Sequence, residues 1–167
     1  MSRLTHRSGP ECTYFVTTKT WENRELFDVE ANAKIVVACL FEYRDRDEYL
    51  LHEFVVMPNH LHILLTPGEK CSLERAMQLI KGGSSHAIHS SRGQKMQIWQ
   101  PGFHDWTIRN DEDYRAKRQY IWQNPVDRKL VERANDWIFG SACGRYRLDP
   151  MPERLASGAK AQRMKAG

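Results

Sequence analysis

Apolar and polar positions divide the chain into strand-like and helix-like stretches. TYFVTTKT (13–20) is rich in β-branched and aromatic residues and predicts a first strand. Val29, Ala33, Val36, Val37, Leu40 and Phe41 recur at helical spacing, which predicts a helix over 29–44 that Asp28 can cap and that the charged run Arg44-Asp45-Arg46-Asp47 ends. EYLLHEFVV (48–56) and HLHILLTP (60–67) predict two antiparallel strands joined by a turn at Met57 to Asn59. Ser72 can cap a second helix with the stripe Leu73, Ala76, Met77 and Ile80. Gly82-Gly83 weakens that helix by about 1 kcal/mol per glycine relative to alanine, and the polar stretch SSHAIHSSRGQK after it is expected to be mobile. Phe103 to Ile108 predicts a fourth strand. Asn110 or Asp111 opens a third helix, with acids in its first turn where the helix dipole favours them. It is expected to stop at Pro125, which lacks an N–H and disfavours helix at the residue before it. A short helix over VDRKLVERANDW, with Leu130, Val131 and Ala134 inward, is expected next.

The β-α-β-β-α-β order predicts an α+β fold, the ferredoxin-like split unit: an antiparallel sheet with helices on one face and the other free for a ligand. In a strand, residues two apart share a face. His60 and His62 therefore point together, opposite Leu61, Ile63 and Leu65, and can grip one ion. Tyr120 and Asn124, four apart, share one face of the third helix. If that face packs over the histidines, Asn124 Oδ1 completes a His, His, Asn metal site with a phenol beside it. A phenol, with an ordinary pKa of about 10, must lose its proton to attack phosphorus, and a nearby divalent cation supplies Lewis acidity at the phosphate.

Composition narrows the classes. The 167 residues suit one domain, and 41% hydrophobic with 28% charged residues is an ordinary soluble balance. No apolar run approaches the roughly 20 residues that span a bilayer, and no secretory segment opens the chain, so no membrane partner and a cytoplasmic protein are expected. Cys12, Cys39, Cys71 and Cys143 form no C-x-x-C pair, against a zinc ribbon or a disulfide framework. The net charge of +4 is accounted for by residues 145–167, which hold six Lys/Arg against two acids. Such a tail is either a nucleic-acid arm or a solvated terminus. His6, His52, His86 and His89 read as structural or surface residues, and His104 as the best extra candidate to line a ligand site.

Three strings carry a family likeness. VVMPNHLHILL, WQPGFHDWTIRNDEDY and YIWQNPVDRKLV, in this order and spacing, resemble the single-tyrosine HUH transposases, in particular the REP-associated tyrosine transposases. The likeness spans roughly Cys12 to Tyr146 and implies a transposase domain over 12–146, while charge and composition mark a basic arm over 1–11 and a basic, disordered tail over 147–167. It implies His60 and His62 as the HUH histidines, Tyr120 as nucleophile and Asn124 as third ligand of Mg²⁺ or Mn²⁺. The implied reaction is metal-dependent cleavage and rejoining of single-stranded DNA beside imperfect palindromic hairpins, through a 5′-phosphotyrosine intermediate and a free 3′-OH. Arg109, Arg115, Lys117 and Arg118 flank the nucleophile as candidate phosphate contacts, with Arg3, Arg7 and His104 as further DNA contacts. Trp99, Phe103, Trp106 and Trp122 are candidates to stack on bases. Tyr120 meets the histidines of its own chain or, in a helix-swapped dimer, a partner's; the lack of a long connection after residue 124 favours the monomer. Competing classes are a non-catalytic single-strand binder on the same fold and an H-x-H-x-H nucleotide phosphohydrolase, against which Leu64 stands at the third position.

Overall fold

In the computed structural model, which describes residues 12–156, the strand-like stretches pair into one sheet and helices cover both its faces. The order is β1 (Thr13–Lys19), α1 (Glu30–Asp45), β2 (Tyr49–Met57), β3 (His60–Pro67), α2 (Leu73–Arg92), β4 (His104–Ile108) and α3 (Asp111–Asp127). The strands lie in the order β2-β3-β1-β4 and every adjacent pair is antiparallel. This is the α+β, ferredoxin-like sheet with α1 and α2 on one face that the element order predicts, while α3 covers part of the face expected to be free.

Side-chain parity sorts the residues between two layers. Leu61, Ile63 and Leu65 of β3 join Tyr14 and Val16 of β1 in the main core, with Val36, Leu40, Ala76, Met77 and Ile80 from α1 and α2. Full burial of each Val, Leu, Ile or Met side chain among them contributes about 1.5–3 kcal/mol relative to exposure. On the opposite face Phe15, Val55, Met57 and Leu64 form a second core with Tyr114 and Ile121 of α3. On this face the pairing register aligns Val55, His62, Thr17 and His104 in one row across all four strands, and Met57, His60 and Lys19 in the next.

Four features depart from the sequence pattern. Helix α2 runs through Gly82-Gly83 and the polar stretch to Arg92. A Cβ at residue 83 would lie 2.6 Å from the Tyr43 hydroxyl and 3.1 Å from Cys39 Sγ, so glycine here permits close packing of α2 on α1. Ser84 and Ile88 are buried beyond it. Gly93, at φ +66, ends the helix with its N–H on His89 O. Helix α3 passes Pro125 and ends at Asp127. The proline gives up one intrahelical bond near the helix end, while Arg128 N–H still reaches Asn124 O and Leu130 N–H reaches Pro125 O; buried Pro125 and Ile121 fix the last turn on the second core. The expected helix over 126–137 is replaced by one 3-10 turn, Ala134–Asp136, because Lys129 turns to φ +58; Leu130 is exposed.

The fourth departure is the tail. Residues 147–156 are structured rather than disordered: Asp149 accepts two hydrogen bonds from Arg44 and one from Leu51 N–H. Leu155 is buried in the second core, 153–156 are helical, and Arg154 donates to Thr13 Oγ1. A charged composition hid an anchor made of one carboxylate and one leucine. The expected N-terminal arm, with Arg3 and Arg7, and residues 157–167 lie outside the described residues.

Candidate functional site

β3 begins at His60, immediately after the Pro58-Asn59 turn, and parity turns His60 and His62 toward α3. Both imidazoles are buried, His60 at 6% and His62 at 4% exposure. The ring centroids lie 4.7 Å apart. His62 stacks on Phe15 at 5.3 Å, and its Nδ1 is 2.7 Å from Thr17 Oγ1. His60 Nδ1 is 2.7 Å from Asn59 Oδ1. An amide oxygen only accepts, so His60 carries its proton on Nδ1 and leaves the Nε2 lone pair available.

Helix α3 brings the other two residues. Its start is fixed by Asn110, whose side chain accepts from Asp113 N–H. Tyr120 is half-exposed, and its ring lies 5.2 Å from His62 and 5.8 Å from Phe15, edge-on to both. One turn on, buried Asn124 places its Nδ2 3.4 Å from His62 Nε2, a long contact, and its Oδ1 is buried without a hydrogen-bond partner. The arrangement lies within one chain.

Electrostatics keep the pair neutral. Burial pushes His60 down to about 4, with the Arg128 charge adding to it and the nearby Asn124 amide opposing it. Burial, then the charges of His60, Arg128 and Lys117, push His62 down to about 3. Both rings therefore offer lone pairs at neutral pH. Among the described residues no group of three His, Cys, Asp or Glu side chains is placed to hold a metal. The donor set here is two imidazole nitrogens and an amide oxygen, and the unpartnered Asn124 Oδ1 is the atom a divalent ion would satisfy. It is Asn124 Nδ2 that faces His62 Nε2, at 3.4 Å, so Oδ1 becomes a ligand beside His62 when the amide turns over.

The candidate DNA contacts separate. Lys117, one turn before Tyr120, lies over the Phe15 ring at 4.7 Å and over Trp106 at 5.0 Å, beside the cluster. His104 is exposed on β4 in the row of Thr17 and His62. Arg118 turns to the other flank of α3, over Trp122 at 5.1 Å, and Arg115 makes an exposed pair with Asp111. Arg109 is exposed in the loop before α3, its N–H on Asp113. Of the aromatic candidates Trp99 is buried with Nε1 on Ser84, Trp122 donates to Glu53, Phe103 is partly buried, and Trp106 is 55% exposed. Sequence reasoning missed Thr17, Asn59, Phe15, Lys19 and Arg128. Asn59 alone was visible in its motif; the others reach the site through strand register or through the extra turn of α3.

A ferredoxin-like sheet presenting a His-hydrophobic-His pair to a helix-borne tyrosine and asparagine places the chain with the tyrosine-type transposases. Its residues 10–124 match the family described as "Transposase IS200 like", and the chain belongs to that family. It is 36% identical over 112 residues to the REP-associated tyrosine transposase of Escherichia coli K12, covering 64% of this chain and 64% of that protein. An uncharacterized Haemophilus influenzae protein is 31% identical over 97 residues, 46% of this chain and 54% of that one. The match thus spans under two thirds of either relative's length. The solved structure of a REP-associated tyrosine transposase bound to a REP hairpin superposes with a TM-score of 0.71 at 27% identity, covering 91% of this chain and 92% of that one. No helix among the described residues is long and apolar enough to cross a membrane.

Proposed function

We propose that this protein cleaves and rejoins single-stranded DNA beside imperfect palindromic hairpins, with Tyr120 as nucleophile. The observation that carries the reading is the meeting of Tyr120, His60, His62 and an unpartnered Asn124 Oδ1 in one chain, on a transposase-family fold. The hairpin-bound REP-associated relative supports the choice of DNA partner.

Tyr120 Oη loses its proton and attacks a backbone phosphorus; a P–O bond forms to the phenol while the P–O3′ bond breaks, and the 3′ oxygen takes up a proton. The 5′-phosphotyrosine keeps the bond energy, and attack by another 3′-OH reverses the step to rejoin strands. Tyr120 is half-exposed, so water reaches the phenol and can carry its proton toward the leaving 3′ oxygen. His60, His62 and Asn124 would hold Mg²⁺ or Mn²⁺, which supplies Lewis acidity at the phosphate. Asn59 and Thr17 orient the two rings through Nδ1, and Phe15 fixes the plane of His62. Exposed Trp106 offers a face on which an unpaired base stacks, with Lys117 for an adjoining phosphate. The contact of Tyr120 with His62 of its own chain supports a reaction in cis. Incubation with labelled hairpin-bearing single-stranded DNA and Mg²⁺ or Mn²⁺ should yield an SDS-resistant adduct that Tyr120→Phe abolishes while DNA binding persists. An undiminished adduct in that variant refutes the reading.

A further inference from the structure

Two cations outside the expected DNA contacts border the site at its His60 end. Lys19 is the last residue of β1, exposed, and its register partner is His60, so it rises from the same face one strand over. Arg128 follows α3; its N–H bonds to Asn124 O, which sets it one turn beyond Asn124 on the same side of the helix. It is exposed, and its charge is felt at both imidazoles. The sheet rows of His60 and His62 hold no carboxylate: one is Met57, His60 and Lys19, the other Val55, His62, Thr17 and His104. With Lys19 and Arg128 exposed at this end and no carboxylate in either row, the site is suited to an anion. Lys117 and Trp106 stand at the opposite end, eleven residues and about 16 Å along α3 from Arg128.

We propose that Lys19 and Arg128 form a phosphate subsite for the substrate strand, so that the strand crosses the site from the Lys117–Trp106 end to the Lys19–Arg128 end with the reacting phosphate between them. This rests on the reading of the protein as a DNA strand transferase and gives the strand a path across the site. A plainer role for Arg128 is to complement the negative end of the α3 dipole, which affects stability rather than DNA.

The test uses the full chain with Tyr120→Phe, so that no covalent product accumulates, and a fluorescein-labelled hairpin oligonucleotide with a single-stranded extension. Anisotropy gives the affinity at several salt concentrations. Loss of one phosphate contact to a single strand lowers the slope of log K against log salt by about 0.7. Adding Lys19→Ala or Arg128→Ala should each lower the slope by about that amount, and both together by about twice it. Arg128→Lys should retain the slope, and Lys34→Ala, on the far layer, should leave it unchanged. An unaltered slope in either alanine variant, or equal losses for Lys34→Ala, overturns the subsite, as does absence of salt-dependent binding in the Tyr120→Phe parent. Adduct formation by the wild type is scored separately. Adduct with unaltered slopes removes the subsite alone, whereas lowered slopes without any adduct keep the subsite and remove strand cleavage.

Discussion

Asn124→Leu sets stability against metal binding at one atom. Leucine branches where asparagine does and replaces the amide N and O with two methyls, so the shape of the buried site is nearly kept. In the metal-free protein Asn124 Oδ1 is buried with no partner, and Nδ2 makes only a 3.4 Å contact to His62. An unsatisfied buried acceptor costs about 1–3 kcal/mol, and a contact that long returns less than an ordinary hydrogen bond. Leucine is also the better helix former, by up to about 0.7 kcal/mol. After allowing for the donor lost to His62, the variant in EDTA should gain about 1–2 kcal/mol. For a chain of this size that raises Tm by roughly 2–8 °C. Mn²⁺ at about 100 times its Kd should stabilise the wild type by about 2.7 kcal/mol and the variant not at all. Thermal unfolding with and without Mn²⁺ reads both effects. A variant less stable than wild type in EDTA, or one that keeps the Mn²⁺ shift, refutes the reasoning.

Thr17→Val keeps the shape of its side chain but removes the hydroxyl 2.7 Å from His62 Nδ1; loss of such a supporting contact should weaken Mn²⁺ binding 10- to 100-fold by order of magnitude, and calorimetric titration giving the wild-type Kd contradicts that role. Acid should destabilise the fold before carboxylates protonate. Burial lowers His52, His60 and His62 in the folded state, the latter two to about 4 and about 3, from an ordinary 6.5. The unfolded chain therefore binds more protons, and the stability held above pH 6.5 is lost as pH falls toward 4. At pH 5 the loss is up to about 2 kcal/mol per imidazole. Glu53, raised by burial, has the opposite sign, since its contribution is largest in acid and fades as pH rises through its folded value. Urea midpoints in EDTA at pH 7 and pH 5 check this, and equal midpoints contradict it.

Local periodicity made the strands, the parity of His60 and His62, and the Tyr120–Asn124 face legible, because each is set by residues two or four apart. What stayed hidden depends on distant partners. Thr17 supports His62 only because β1 pairs with β3 in one register, and no feature of TYFVTTKT states that register. Gly82-Gly83 read as a weak point before a mobile stretch because propensity is local, whereas contact with Tyr43 and Cys39 makes residue 83 part of a helix interface. Pro125 read as a stop for the same reason, and the turn beyond it carries Arg128. Residues 147–156 looked like solvent-exposed tail by charge, yet Asp149 and Leu155 anchor them to β2 and to the second core.

The central claim is that Tyr120 itself becomes joined to DNA. The most direct measurement is proteolysis of the adduct formed with Mn²⁺ on a hairpin oligonucleotide, followed by mass spectrometry of the DNA-linked peptide. The account predicts a 5′-phosphate ester on Tyr120 and a free 3′-OH on the released strand. A link at any other residue, or a 3′-phosphate on the tyrosine with a free 5′-OH on the released strand, would contradict it.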